Sequence, residues 1–298
     1  MVAIQLDIFI TIVVLGCTTC SFKGGVVPCT RAERDRILHT VGGIIRRENA
    51  GGCFRARQLQ KLEKIYSGEH RQIARPNVLL DALPHQPRMT LIDAGCRSFK
   101  SSTLTLLSSV YKFYRFQRVF AFDMSSSFSR MWQREAQRWR QAHNISGTFE
   151  ISQAAVSSHD GYTEVPTEDS TSATSMLSLH EQKSNGTTKR IPVLNFTRWL
   201  LNTVDADEYV VVKMDIEGAE YNVLPELLGS KARYLVDELW IEMHHTRQSV
   251  HSRNNNDICT PATTAAWEAG CKPCINRDEA VSWMRLMRES CIAAHDWH

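Results

Sequence analysis

Four short apolar runs, three of them closing on aspartate, restrict the fold of this chain more than any other feature. Residues 89–93 read MTLID, 118–123 RVFAFD, 209–215 YVVVKMD and 239–243 LWIEM. Runs of this length, rich in β-branched and aromatic side chains and without polar alternation, are strands covered on both faces. Residues 149–156 (FEISQAAV) supply a further strand and 291–294 (CIAA) a last one. Helical spacing separates the strands. It is carried by Leu104, Leu107, Tyr111 and Tyr114, then by Phe128, Trp132, Glu135 and Trp139 behind a serine cluster that can cap the helix. Residues 195–202, 219–228 (with Pro225 inside) and 279–288 read as helices too. This exchange of strand and helix predicts an α/β fold, a doubly wound, mostly parallel sheet. Ligands of such sheets bind outside the carboxyl ends of the strands, where the strand order reverses. Asp93, Asp123 and Asp215 each end a strand, so they are expected to converge on one crevice.

The rest of the chain sets the context. Residues 8–16 (IFITIVVLG) match the apolar core of a secretory signal peptide in length. Residues 1–20 are therefore expected to be a signal peptide or short signal-anchor, with a buried strand as the competing reading. No other run is membrane-like, which excludes a multi-span protein. The net charge of +3 leaves no bulk basic surface for nucleic acid. Residues 21–87 are expected to be a helical, basic extension closed by Pro76, Pro84 and Pro87, and residues 88–298 the main domain. Within that domain the Ser/Thr-rich stretch 165–190 reads as a loop and candidate lid, and 246–277 as a cysteine-containing insert. Nine cysteines suit an oxidising compartment and disulfides. Cys259, Cys271, Cys274 and Cys291 admit either disulfides or zinc. Asn144, Asn185 and Asn195 begin N-glycosylation sequons, Asn195 being equally a helix N-cap.

Chemistry concentrates at the strand ends. The turn Asp93-Ala94-Gly95-Cys96-Arg97-Ser98 is neither G-x-G-x-x-G nor a P-loop, yet Gly95 allows close backbone approach to a ligand. Asp123 stands where one carboxylate can accept both hydroxyls of a ribose, or where an acid favours a helix start. The densest segment is VKMDIEGAE, 212–220, in which Lys213 and Asp215 share a strand face. Charges at a buried strand end are unfavourable unless paired or used. Glu242 and His244 follow the next strand, and either can orient a hydroxyl or take its proton. His244 has the reference pKa nearest neutrality, and Lys213 reads as an orienting partner. Asp215, Glu217 and His244 have no metal-binding spacing signature, so no metal is expected.

These segments together resemble the FkbM family of S-adenosylmethionine-dependent methyltransferases. VVKMDIEGAEYNVL is similar to that family's K-[IM]-D-[IV]-E-G-x-E hallmark, IEMHH to its next strand end, AFD to its A-F-E acid, and QAAVSSHDG at 153–161 to its third-strand turn. The resemblance spans residues 89–245. It implies the Rossmann-like class I methyltransferase fold with seven strands, S-adenosylmethionine as cofactor, and methyl transfer to a hydroxyl. It further implies Asp93 and Gly95 at the methionine end, Asp123 on the ribose, Gln153 and Ala154 by the adenine, and Asp215 near the methyl. The first motif departs from the family pattern, with Cys96, Arg97 and Ser98 where Ala-Asn and a second glycine stand. Arg97 can then pair with the methionine carboxylate. The catalytic set expected is Asp215, Glu242, His244 and Lys213. The expected protein is a secretory-pathway O-methyltransferase acting on a glycan or another small hydroxylated acceptor. Its alternatives are a secreted binding protein that keeps the fold without catalysis and a different nucleotide-using α/β enzyme, the latter disfavoured by the absent glycine-rich loop.

Overall fold

The computed structural model describes residues 31–48, 87–112, 114–166, 188–244 and 277–297. Its frame is a six-stranded sheet: β1 Arg88–Ala94, β2 Arg118–Asp123, β3 Thr148–Gln153, β7 Glu208–Met214, β8 Glu238–Ile241 and β9 Ala293–Asp296. The spatial order is β3-β2-β1-β7-β8-β9, and every pair is parallel. Relabelled along this sheet alone the order is 3-2-1-4-5-6, that of a doubly wound Rossmann-like fold, with its reversal between β1 and β7. The α/β expectation holds. The resemblance implied seven strands, whereas the sheet has six among the described residues.

Period-two alternation divides each central strand between two cores. Ile92, Ala94, Phe120, Phe122, Val210, Val212, Leu239 and Ile241 face one core, built with α1 (Arg31–Glu48), α3 (Phe196–Thr203), α4 (Glu220–Gly229) and α5 (Arg277–Glu289). Leu91, Val119, Ala121, Val211 and Trp240 face the other. There they meet two π-type turns, Phe99–Thr103 and Leu106–Val110, and α2 (Ser126–His143). Helix α2 is capped at Ser125, whose Oγ accepts the Phe128 N–H, and ends at Asn144 in the left-handed region, φ 51°. The helix predicted from Leu104 to Tyr114 thus begins earlier, at Phe99, and Tyr111 closes it fully buried.

The strand expected at 149–156 is two strands. After Gln153 the chain leaves the large sheet, and β4 (Ala155–Ser157) joins a second sheet with β5 (Gly161–Pro166) and β6 (Thr188–Asn195), ordered β4-β6-β5. The expected 165–190 loop is corrected at both ends. Val165 and Pro166 pair with Lys189 and Thr188, and Val165 packs with Ala155, Ile191 and Val193 in a small core of their own. The remainder of that stretch, 167–187, lies outside the described residues.

At the amino ends of the strands, buried Glu208 takes Arg118 at 2.6 Å and Arg88 at 2.9 Å, and Thr90 donates to it. Helix α1 is tied to α5 by a buried pair, Arg34 Nε to Glu279 Oε1 at 2.8 Å. Asn195 is the N-cap of α3: its Oδ1 accepts the Arg198 N–H, and its Nδ2 donates to the Ser158 carbonyl and to Glu226. Of its two sequence readings the structural one is realised. No helix of the described residues is long and apolar enough to cross a membrane. The leader, Asn185 and the cysteines other than Cys96 and Cys291 lie outside the described residues.

Candidate functional site

The carboxyl ends of β1, β2, β7 and β8 surround one cavity of about 240 Å³, at the reversal of strand order. Its construction starts at Gly95. Here φ is +78°, and a Cβ would lie 1.7 Å from the Asp215 carbonyl oxygen, so only glycine fits. The N–H groups of Gly95 and Cys96 both donate to the Phe122 carbonyl, at 2.9 and 3.1 Å. Arg97 follows in the left-handed region, φ 46°, an uncommon conformation for a long side chain. That turn aims its N–H at Asp123 Oδ2, 2.8 Å away, while the Ser125 N–H reaches Oδ1 at 2.8 Å. Each oxygen of Asp123 keeps accepting capacity toward the cavity. Burial pushes the Asp123 pKa up, and the two N–H donors offset this in part.

Beneath the cavity lies a buried ionic knot. Lys213 Nζ donates to the Gly95 carbonyl at 2.7 Å and to Asp215 Oδ2 at 3.2 Å, and stands 3.5 Å from Asp93 Oδ1. The register places Asp93 opposite Lys213 on neighbouring strands. Asp93 also accepts from Ser102 Oγ and Thr103 Oγ1, and Trp132 Nε1 donates to that threonine at 2.8 Å. Burial pulls the Lys213 pKa down, but the Asp93 and Asp215 carboxylates outweigh it and leave the ammonium more firmly protonated than usual.

The rim carries the acids and the imidazole. Glu217 (φ 55°) and Gly218 (φ 98°) turn the chain sharply from β7 into α4. Glu220, at the start of α4, is fully buried, and its Oε1 accepts the Ile216 N–H at 2.8 Å and lies 3.1 Å from His244 Nδ1. His244 Nε2 faces Glu217 at 3.3 Å and Asp215 and Glu242 at 3.8 Å each. Burial alone would lower the His244 pKa, but bonds to Glu217 and Glu220 push it up to about 11. Glu217 is correspondingly lowered, chiefly by its bond to His244. The surrounding carboxylates thus favour the protonated imidazole.

The sequence-predicted residues divide cleanly. Gly95, Arg97, Asp123, Ala154, Asp215, Glu242 and His244 all line the cavity. Asp93 and Lys213 do not; they are 0% and 1% exposed and act from underneath. Gln153 also turns away, its Nε2 donating to the Met124 carbonyl at 2.9 Å. Sequence reasoning left out the apolar floor, Phe122, Met124, Phe128 and Val156, and weighed Glu217 only as a metal ligand without a spacing signature. The floor was hidden because its members are ordinary core types. Cys96 is fully buried away from the cavity, and burial raises its thiol pKa well above the usual value.

The family described as Domain of unknown function (DUF7870) matches residues 150–298. The chain belongs to the DUF7870 family. No curated protein matches it. Among solved structures, methyltransferase FkbM from Methylobacillus flagellatus KT is similar to 65% of this chain at 15% identity, with a TM-score of 0.34. The aligned part spans 44% of that chain, less than half its length. The DUF7870 match contains Ala154, Asp215, Glu217, Glu242 and His244, whereas Gly95, Arg97 and Asp123 precede it. The cavity is thus shared between the matched region and the chain before it.

Proposed function

We propose that this protein is an S-adenosylmethionine-dependent O-methyltransferase. The observation that carries the reading is the Asp123 carboxylate, fixed by two backbone N–H groups at the end of β2 and opening onto an apolar floor opposite an acidic rim. A nucleoside fits these groups: carboxylate acceptors for a ribose diol and Phe128, Ala154 and Val156 for a flat base. The exposed Arg97 side chain suits a carboxylate at the other end. When bound, this cofactor supplies an electrophilic methyl group on a sulfonium. The chain's own work is then alignment and proton removal, and alignment lowers barriers by up to about 7–11 kcal/mol. Asp215, held by Lys213, presents its second oxygen to the cavity. Glu242, at the rim, accepts the proton of an acceptor hydroxyl, with His244 orienting the surrounding carboxylates.

The acceptor in this reading is a hydroxyl of a glycan or another small polar molecule, supported by the hydrogen-bonding character of the rim. A secretory-pathway location, with an N-terminal signal or anchor, and disulfides among Cys259, Cys271, Cys274 and Cys291 complete the proposal. Their support is the apolar leader and the cysteine content of the sequence. Calorimetric titration with S-adenosylmethionine tests the core of it. Binding that Asp123→Ala abolishes, with methyl transfer to a glycan panel lost in Asp215→Ala, is expected. Absence of cofactor binding by the folded protein would instead favour a binding protein without catalysis.

A further inference from the structure

The acidic rim holds more than a proton acceptor needs. Asp215 Oδ1, Glu217 Oε2 and His244 Nε2 converge from two strand ends, and the three donor atoms lie within 4.8 Å of one another. Each is half-buried, with side-chain exposures of 23, 32 and 25%, so they remain reachable from the cavity. The other oxygen of Asp215 is occupied by Lys213, which leaves Oδ1 as the one turned to the cluster. Carboxylates outnumber cations here: Asp93, Asp215, Glu217, Glu220 and Glu242 surround Lys213, Arg97 and the imidazole.

A second, independent feature singles out His244 as a ligand. Its Nδ1 is engaged by Glu220, a carboxylate that is 0% exposed and anchored by the Ile216 N–H. A buried carboxylate on Nδ1 orients the ring, so that a metal displacing the Nε2 proton meets a correctly aimed lone pair. Among the described residues the remaining oxygen of this buried acid has no hydrogen-bond partner.

We infer that Asp215, Glu217 and His244 form a divalent-cation site of the manganese type at the mouth of the cavity. One imidazole with two carboxylates is a mixed nitrogen–oxygen donor set, suited to manganese and its neighbours more than to calcium. Three protein ligands leave positions open for water or for an acceptor oxygen. An acceptor hydroxyl bound there gives up its proton more readily, and Glu242 is the group beside it that takes that proton. The cation's part in catalysis rests on the methyl-transfer reading; its binding does not. The sequence alone raised no metal expectation, because ligands from two strand ends share no spacing motif.

The test titrates the chelator-treated full chain with Mn²⁺, reading the loss of the free-ion electron paramagnetic resonance signal. S-adenosylmethionine is titrated in parallel by calorimetry without metal. One Mn²⁺ per chain is expected. Glu217→Gln should abolish binding, and Glu220→Gln should weaken it roughly 10–100-fold, as loss of an orienting carboxylate does. Glu217 is partly exposed, so an unchanged melting temperature in its variant certifies the fold. Failure of Mn²⁺ to bind, or binding indifferent to Glu217→Gln and His244→Ala, overturns the site. If the cofactor binds and Mn²⁺ does not, the cation site falls and the methyltransferase reading survives. If Mn²⁺ binds and the cofactor does not, the reverse holds.

Discussion

Gly95 and Lys213 show how single residues carry the site without reacting. Gly95→Ala would drive a Cβ into the Asp215 carbonyl at a positive φ, so the backbones of β1 and β7 would have to part. A loss of at least about 2 kcal/mol of stability is expected, measured by urea unfolding. Lys213→Met removes the only cation within reach of buried Asp93 among the described ion pairs and leaves that carboxylate uncompensated. About 3–5 kcal/mol is expected to be lost, because a broken buried pair exposes the full desolvation penalty of its survivor. Asp123 gives a pH prediction. Its pKa is raised, and only the ionised form accepts two hydroxyls. On the methyl-transfer reading, S-adenosylmethionine affinity should therefore rise with pH through that raised pKa and level off above it, whereas Asp123→Asn should show a flat profile in calorimetry between about pH 5 and pH 8. Much of this was legible in the letters. The period-two rule put Lys213 and Asp215 on one face, and they stand 3.2 Å apart. What the letters lacked was register: Asp93 lies opposite Lys213 only because β1 pairs with β7, a partner remote in sequence. That pairing turns two expected cavity residues into foundations.

Elements were legible where burial on both faces forced apolar runs, as in β1, β2, β7 and β8. They were obscured where one face meets water. In β6 the pattern is buried only at Ile191 and Val193, and its sequence, TKRIPVLN, carries a proline and two cations. The helix α1 offers a prediction at this scale. Arg34 and Glu279 are 3% and 6% exposed, while Arg31 and Asp35 on the same helix are 60% and 58% exposed. Arg34→Ala is expected to destabilise by about 3 kcal/mol and Arg31→Ala by under about 1 kcal/mol, compared by thermal and urea unfolding. The first effect should itself depend on pH. Burial already raises the Glu279 pKa, and without Arg34 the carboxyl can escape its desolvation only by binding a proton. The deficit should therefore be larger at about pH 8 than at about pH 5, since protonation at the lower pH removes the unpaired charge.

Across the whole molecule, the DUF7870 match and the folding unit are not the same object. A fragment of residues 150–298 would retain β7, β8 and β9 but lose β1 and β2. Strand β1 sits at the centre of the sheet, so the fragment would bare the full edge of β7 together with the core that Leu91 and Ile92 fill. It is expected to lack cooperative unfolding and to show poor amide dispersion by NMR, in contrast to a chain beginning at Arg31. The two ends of the sheet also differ in kind. The amino ends are riveted by Glu208 with Arg88 and Arg118, while the carboxyl ends hand over to turns such as 95–98 and 215–219. Side chains on those turns, Gly95 apart, can therefore reshape the lining of the cavity while the opposite pole goes on clamping the strands together.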